Sequence, residues 1–115
     1  MSIDKIIELL NEKTRNITRA INSLKEELEA VDWYNQRVEA SSDEELKAIM
    51  AHNRDEEIEH ACMTLEWLRR NMDGWDEELK TYLFTSGPIT SIEGQEQASD
   101  APSNSGNGLN IGKMK

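Results

Sequence analysis

Residues 3–38 contain neither glycine nor proline, and within them Ile3, Ile7, Leu10, Thr14, Ile17, Ile21, Leu24, Leu28, Val31, Asn35 and Val38 recur in steps of three and four. Positions so spaced share one face of an α-helix, so the stretch predicts a single long amphipathic helix. Nine of the eleven are apolar, a regularity that matches the seam of a helical bundle or coiled coil.

Ser41, Ser42, Asp43, Glu44 and Glu45 follow, offering two overlapping Ser-x-x-Glu capping boxes in which a hydroxyl accepts from an orphan amide and the glutamate reaches back. A second helix is therefore predicted from here through Leu46, Ile49, Met50, Ile58, Ala61, Leu65 and Leu68, stopping between Asn71 and Gly74, where glycine supports a left-handed cap. The connection at residues 40–42 is so short that the two helices must fold back antiparallel. A third, shorter helix is predicted from Trp75 to Phe84, ended by Gly87 and Pro88, since proline lacks the amide a continuing helix needs. The fold class is thus all-α: an antiparallel two-helix hairpin plus a short C-terminal helix, covering residues 1–93. Residues 94–108 are polar, glycine- and serine-rich and without periodicity, and read as a flexible linker. In residues 109–115, LNIGKMK, apolar side chains return; a recognition peptide on a tether and a disordered tail or cloning remnant both fit that pattern.

Thirteen Lys and Arg stand against 23 Asp and Glu, a formal net charge of −10. Such a chain repels phosphate backbones and anionic bilayers, so no nucleic-acid or membrane partner is expected. Nothing approaches the roughly 20 apolar residues of a membrane span, and the single cysteine, Cys62, forms no internal disulfide, so an intracellular, cytoplasmic protein is expected. A chain of 115 residues buries a modest share of its surface alone, and a second copy is the natural source of the missing core.

Successive helical residues lie about 100° apart, which tests what interrupts the apolar face of the second helix. With Leu46 as origin, Thr64, Glu57, Met50 and Leu68 fall between roughly 0° and 40° and His60 at roughly 320°, whereas Asp55, Glu56, Glu59 and Glu66 occupy roughly 180° to 280°, an ordinary solvated arc. A carboxylate and an imidazole therefore sit in the core stripe. Burying a lone carboxylate costs several kcal/mol unless it is paired or metal-bound. The Glu57-x-x-His60 spacing supplies an answer, because residues three apart project side by side and can offer one metal an oxygen and a nitrogen. Four-helix di-iron carboxylate sites take a single Glu from each of two helices and a Glu-x-x-His from each of the other two. With Leu24 as origin, Glu27 lies at roughly 300°, bordering the seam beside Tyr34 and Val38, while Glu26, Glu29 and Trp33 lie on the far side. One chain then carries half the ligands, and two chains complete the set. Against this stand a buried Glu57–His60 ion pair and the rival pair His52 and Glu56, which falls off the apolar arc; Cys62, at roughly 160°, reads as a small core residue.

The strings EELEAVDWY at 26–34, HNRDEEIEHA at 52–61, TLEWLRR at 64–70 and YLFT at 82–85 closely resemble the encapsulated ferritins, over about residues 15–93. The resemblance implies dimers forming a ferritin-like four-helix bundle and assembling into a ring, with a decamer the expected count. It implies iron ligands at Glu27, Glu57 and His60 in a ferroxidase centre across the dimer interface, Tyr34 close to the iron, and a metal access site at Glu26, Glu29 and Trp33. It also implies packaging inside an encapsulin shell, directed by a C-terminal peptide; Leu109, Ile111, Gly112 and Met114 reproduce the apolar-x-apolar-Gly-x-apolar arrangement, with Met114 where leucine is more usual and Asn110 where threonine often stands.

The expected activity is oxidation of Fe(II) to Fe(III) for storage in the shell, with Glu27 and Glu57 supplying hard anionic oxygens and His60 a nitrogen. Calcium, zinc or manganese would be accepted as surrogates for iron at such ligands. Two other readings remain open at this stage: a non-catalytic helical adaptor dimerising through the same seam, with Glu57 and His60 as a buried polar specificity device, and an acidic metal buffer using surface carboxylates alone.

Overall fold

The computed structural model describes residues 2–9 and 11–93; the expected linker at 94–108 and the terminal peptide at 109–115 lie outside the described residues. All elements among them are helical: α1, Ile3–Leu9; α2, Glu12–Ala40; α3, Glu44–Asn71; α4, Trp75–Tyr82; and a 3-10 turn, Ile89–Ser91. The chain divides between Trp75 and Asp76 into two compact units.

The long first helix expected from the apolar spacing is two helices. Asn11 has extended backbone, φ −73° and ψ 168°, and its side chain accepts from the Thr14 amide at 2.8 Å, opening α2. The apolar period runs through this point undisturbed, but a short amide side chain competes for the backbone and favours a cap over a helix interior. Ser2 does the same for α1, accepting from the Lys5 amide at 3.2 Å.

The hairpin turn also differs in detail from the double capping box. Ser41 closes α2: its amide donates to the Arg37 carbonyl at 3.0 Å and its hydroxyl donates to the same oxygen at 2.6 Å. Asp43 opens α3, its carboxylate accepting from the Leu46 amide at 2.9 Å, with a negative charge suited to a helix N-terminus. Three residues thus separate α2 and α3, and the helices pack antiparallel as expected. At its far end α3 stops at Met72, whose amide donates to the Leu68 carbonyl at 2.8 Å, before Gly74 at φ 101°. α4 ends two residues short of Phe84, which takes a left-handed φ of 61°.

Little of this chain is buried. Among the described apolar residues only Ala61, Leu68 and Ile92 are buried, and α2 buries none. On α2 the half-buried positions of the seam are Ile17, Ile21, Leu24, Glu27, Val31, Tyr34 and Val38. Leu28 and Asn35, placed on the seam by the sequence, are exposed. The contact face is rotated toward Glu27 and Tyr34, since a helix of 3.6 residues per turn drifts off a strict heptad. Ile49, Ile58, Met63 and Trp67 of α3 are likewise exposed, so the hairpin leaves apolar surface uncovered on both helices.

Candidate metal centre

α2 presents Glu27, and α3 presents Glu57 and His60 one turn apart. The two α3 side chains touch, His60 Nδ1 lying 3.5 Å from Glu57 Oε1, with side-chain exposures of 44% and 28%. Both are partly exposed and open to an approaching group. Using Nδ1 in that contact leaves Nε2 as the ring's other donor atom.

Glu27 is held differently. One carboxylate oxygen, Oε2, accepts from the Thr64 hydroxyl of α3 at 3.3 Å. The other, Oε1, is buried and has no hydrogen-bond partner. An unpaired buried acceptor costs about 1–3 kcal/mol, and a bound cation is one of the few things that removes such a cost. The donor set of two carboxylates and an imidazole fits a divalent transition metal such as iron.

The pairing of the helices explains why one chain does not close the site. Asn35 accepts from Arg54 at 3.1 Å and Glu27 from Thr64; in both pairs the residue numbers sum to about 90, which defines the antiparallel register of α2 on α3. Glu27 is therefore level with Thr64, while Glu57 comes level with residues 32–34. At 1.5 Å per residue, His60 is staggered from Glu27 by about 6 Å along the axis and Glu57 by about 10 Å. Consistent with this, no group of three or more metal-ligating side chains comes together among the described residues.

The remaining candidates separate clearly. Tyr34 is half-buried on the same side of α2 as Glu27. Glu26, Glu29 and Trp33 are all exposed; the Arg37 guanidinium lies over the Trp33 ring at 4.2 Å and within 5.9 Å of the Tyr34 ring. A cation thus already covers the tryptophan face that the resemblance assigns to metal access. His52 and Glu56 are exposed, as their place off the apolar arc implies. Cys62 is exposed rather than in the core, on a shallow groove with Glu59, Met63, Glu66, Trp67 and Arg70. Arg69 and Arg70 donate to Glu66 at 2.7 Å and 2.6 Å and lower its pKa to about 2. Thr64 and Arg37 were not singled out from the sequence, although Thr64 falls beside Glu57 on the helical wheel and could have been found there.

A helical hairpin carrying a single Glu on one helix and a Glu-x-x-His on the other has the ligand pattern of half a four-helix di-iron carboxylate protein. Residues 2–86 match the EncFtn-like family, and the chain belongs to that family. It is 58% identical over 118 residues to the encapsulated ferritin-like protein of Rhodospirillum rubrum, covering 95% of this chain and 84% of that one. It is 59% identical over 105 residues to a ferritin-like protein of Thermotoga maritima, covering 91% and 90%. Its fold matches a crystal structure of a Nitrosomonas europaea protein with a TM-score of 0.69 and 65% identity, over 71% of this chain and 91% of that one.

Proposed function

We propose that this protein is a ferroxidase whose di-iron site forms when two chains dimerise, and that it supplies Fe(III) for storage inside an encapsulin shell. The observation that carries the reading is the orphaned Glu27 Oε1, buried without a partner while the other oxygen accepts from Thr64 of the helix that carries Glu57 and His60. A partner related by a two-fold axis near the level of Glu27 and His60 doubles every ligand, giving the four Glu and two His of a di-iron carboxylate centre. It also covers apolar surface that the lone hairpin exposes at Ile49, Met63 and Trp67.

Iron is the substrate of this reaction. Two Fe(II) ions each give up one electron; dioxygen accepts both, with two protons, and leaves as hydrogen peroxide, or hydrogen peroxide accepts both, with two protons, and leaves as two waters. Carboxylate oxygens favour the harder Fe(III) over Fe(II), which drives the oxidation forward. Glu27 and Glu57 hold the cations and His60 fixes their orientation, while half-buried Tyr34 places a phenol where it can hydrogen-bond a ligand. Glu26 and Glu29 draw cations toward the site along the acidic face of α2.

The relatives' names, encapsulated ferritin-like and ferritin-like, support iron handling within a protein compartment. In this reading residues 109–115 direct the chain into that compartment, and its dimers assemble into a ring of ten chains. No helix among the described residues is long and apolar enough to cross a membrane. The adaptor reading has the 3.5 Å Glu57–His60 contact in its favour, but it leaves Glu27 Oε1 without a purpose.

Anaerobic titration with Fe(II), followed by admission of air, tests the proposal. Wild type should saturate near about one iron per chain and develop ferric absorbance well above the buffer rate, while Glu57→Ala and His60→Ala lose the oxidation and keep their helical circular dichroism. Wild-type rates in both variants would overturn it.

A further inference from the structure

A threonine inside a helix commonly returns its hydroxyl to the carbonyl four residues back. Thr64 instead directs its hydroxyl across the hairpin to Glu27 Oε2 at 3.3 Å, from the face of α3 that carries Glu57 and His60, seven and four residues earlier. The consequence falls on the other oxygen. With Oε2 taking that hydrogen bond, Oε1 is the oxygen left without a partner, and it is buried. A carboxylate with both oxygens free can rotate about its last bond and bind a cation through one oxygen or two; this one is held at one edge.

We infer that Thr64 is a positioning residue for the metal centre: its hydroxyl anchors Glu27 by Oε2 and favours Oε1 as the oxygen offered to the cation. The inference rests on the ferroxidase reading above and adds to it a fourth residue and the denticity of one ligand. Hydrogen bonds to a ligand's outer oxygen fix its orientation and typically govern metal affinity by about 10- to 100-fold. At 3.3 Å to a neutral donor the lower end of that range applies, so loss of the hydroxyl should weaken binding about tenfold.

The full chain is titrated anaerobically with Co(II), whose visible bands report coordination number and which Glu and His ligands accept. Thr64→Val removes the hydroxyl and keeps the shape; Thr64→Ser keeps the hydroxyl and removes the methyl. The expected result is weaker Co(II) binding with altered visible bands in Thr64→Val, near-wild-type binding and spectrum in Thr64→Ser, and equal apparent oligomer mass in all three. Wild-type affinity and spectrum in Thr64→Val, or an equal loss in both variants, would overturn the inference, the second by assigning the effect to the methyl. Glu27→Ala, run alongside, separates the two claims. If it binds Co(II) as wild type does, the metal centre itself is misplaced and Thr64 falls with it; if it loses binding while Thr64→Val does not, only the role of Thr64 fails.

Discussion

Replacing Glu27 by leucine should stabilise the metal-free protein while destroying its response to iron. The wild-type side chain keeps one carboxylate oxygen buried without a partner, which costs about 1–3 kcal/mol. Its one hydrogen bond, from Thr64 at 3.3 Å, returns about 0.5–1.5 kcal/mol. Leucine removes both terms, frees the Thr64 hydroxyl to turn to the carbonyl four residues back, and adds apolar contact on the half-buried seam. The net expectation is a gain of about 1 kcal/mol, or about 4–8 °C in Tm for a domain of this size. Thermal unfolding followed by circular dichroism, on chelator-treated protein at fixed chain concentration, measures it. Iron reverses the order: at a free concentration one hundred times Kd, binding to the native state adds about 2.7 kcal/mol to wild type and nothing to the variant. A Glu27→Leu protein that melts below metal-free wild type would refute the reasoning, because the carboxylate would then have a partner inside the protein that satisfies it.

Two further outcomes test the scaffold. Asp43→Ala, which removes the acceptor for the Leu46 amide, should cost about 1 kcal/mol, read as a lower Tm with helical content otherwise retained. Glu66, held by Arg69 and Arg70 at a pKa of about 2 against an ordinary 4.5, contributes stability that is complete above about pH 4.5 and is lost as pH falls toward 2; melting curves of wild type and Glu66→Gln should converge across that window, and parallel curves throughout would show the pairing to be inconsequential.

The sequence carried the candidate ligands more clearly than the boundaries. Glu57 and His60 announced themselves by breaking an apolar stripe, and Glu27 by bordering one, because polar atoms in such places demand partners. The break at Asn11 was invisible to periodicity, since the three-and-four spacing continues through a cap whose effect is local hydrogen bonding. Asp43, rather than Ser41 or Ser42, opens α3 for a similar reason: a three-residue connection makes one residue end a helix and another begin the next, and capping-box spacing alone does not say which. Leu28 and Asn35 were placed on the wrong face because the eye follows a heptad while a straight helix drifts from it. The stagger between Glu27 and Glu57 depends on register, which only contacts across the hairpin define.

The three residues between α2 and α3 act as a gauge length. Ser41 and Asp43 are each committed to a helix end, so an added or deleted residue has no slack to occupy; it must turn α3 by about 100° and slide it by about 1.5 Å. Such a change turns the apolar seam and the proposed metal ligands away from α2 together, because both are cut into the same face of α3. Length variation is therefore excluded at this turn by chemistry as well as by packing, and an insertion here would be read first as lost iron binding rather than as lost helix.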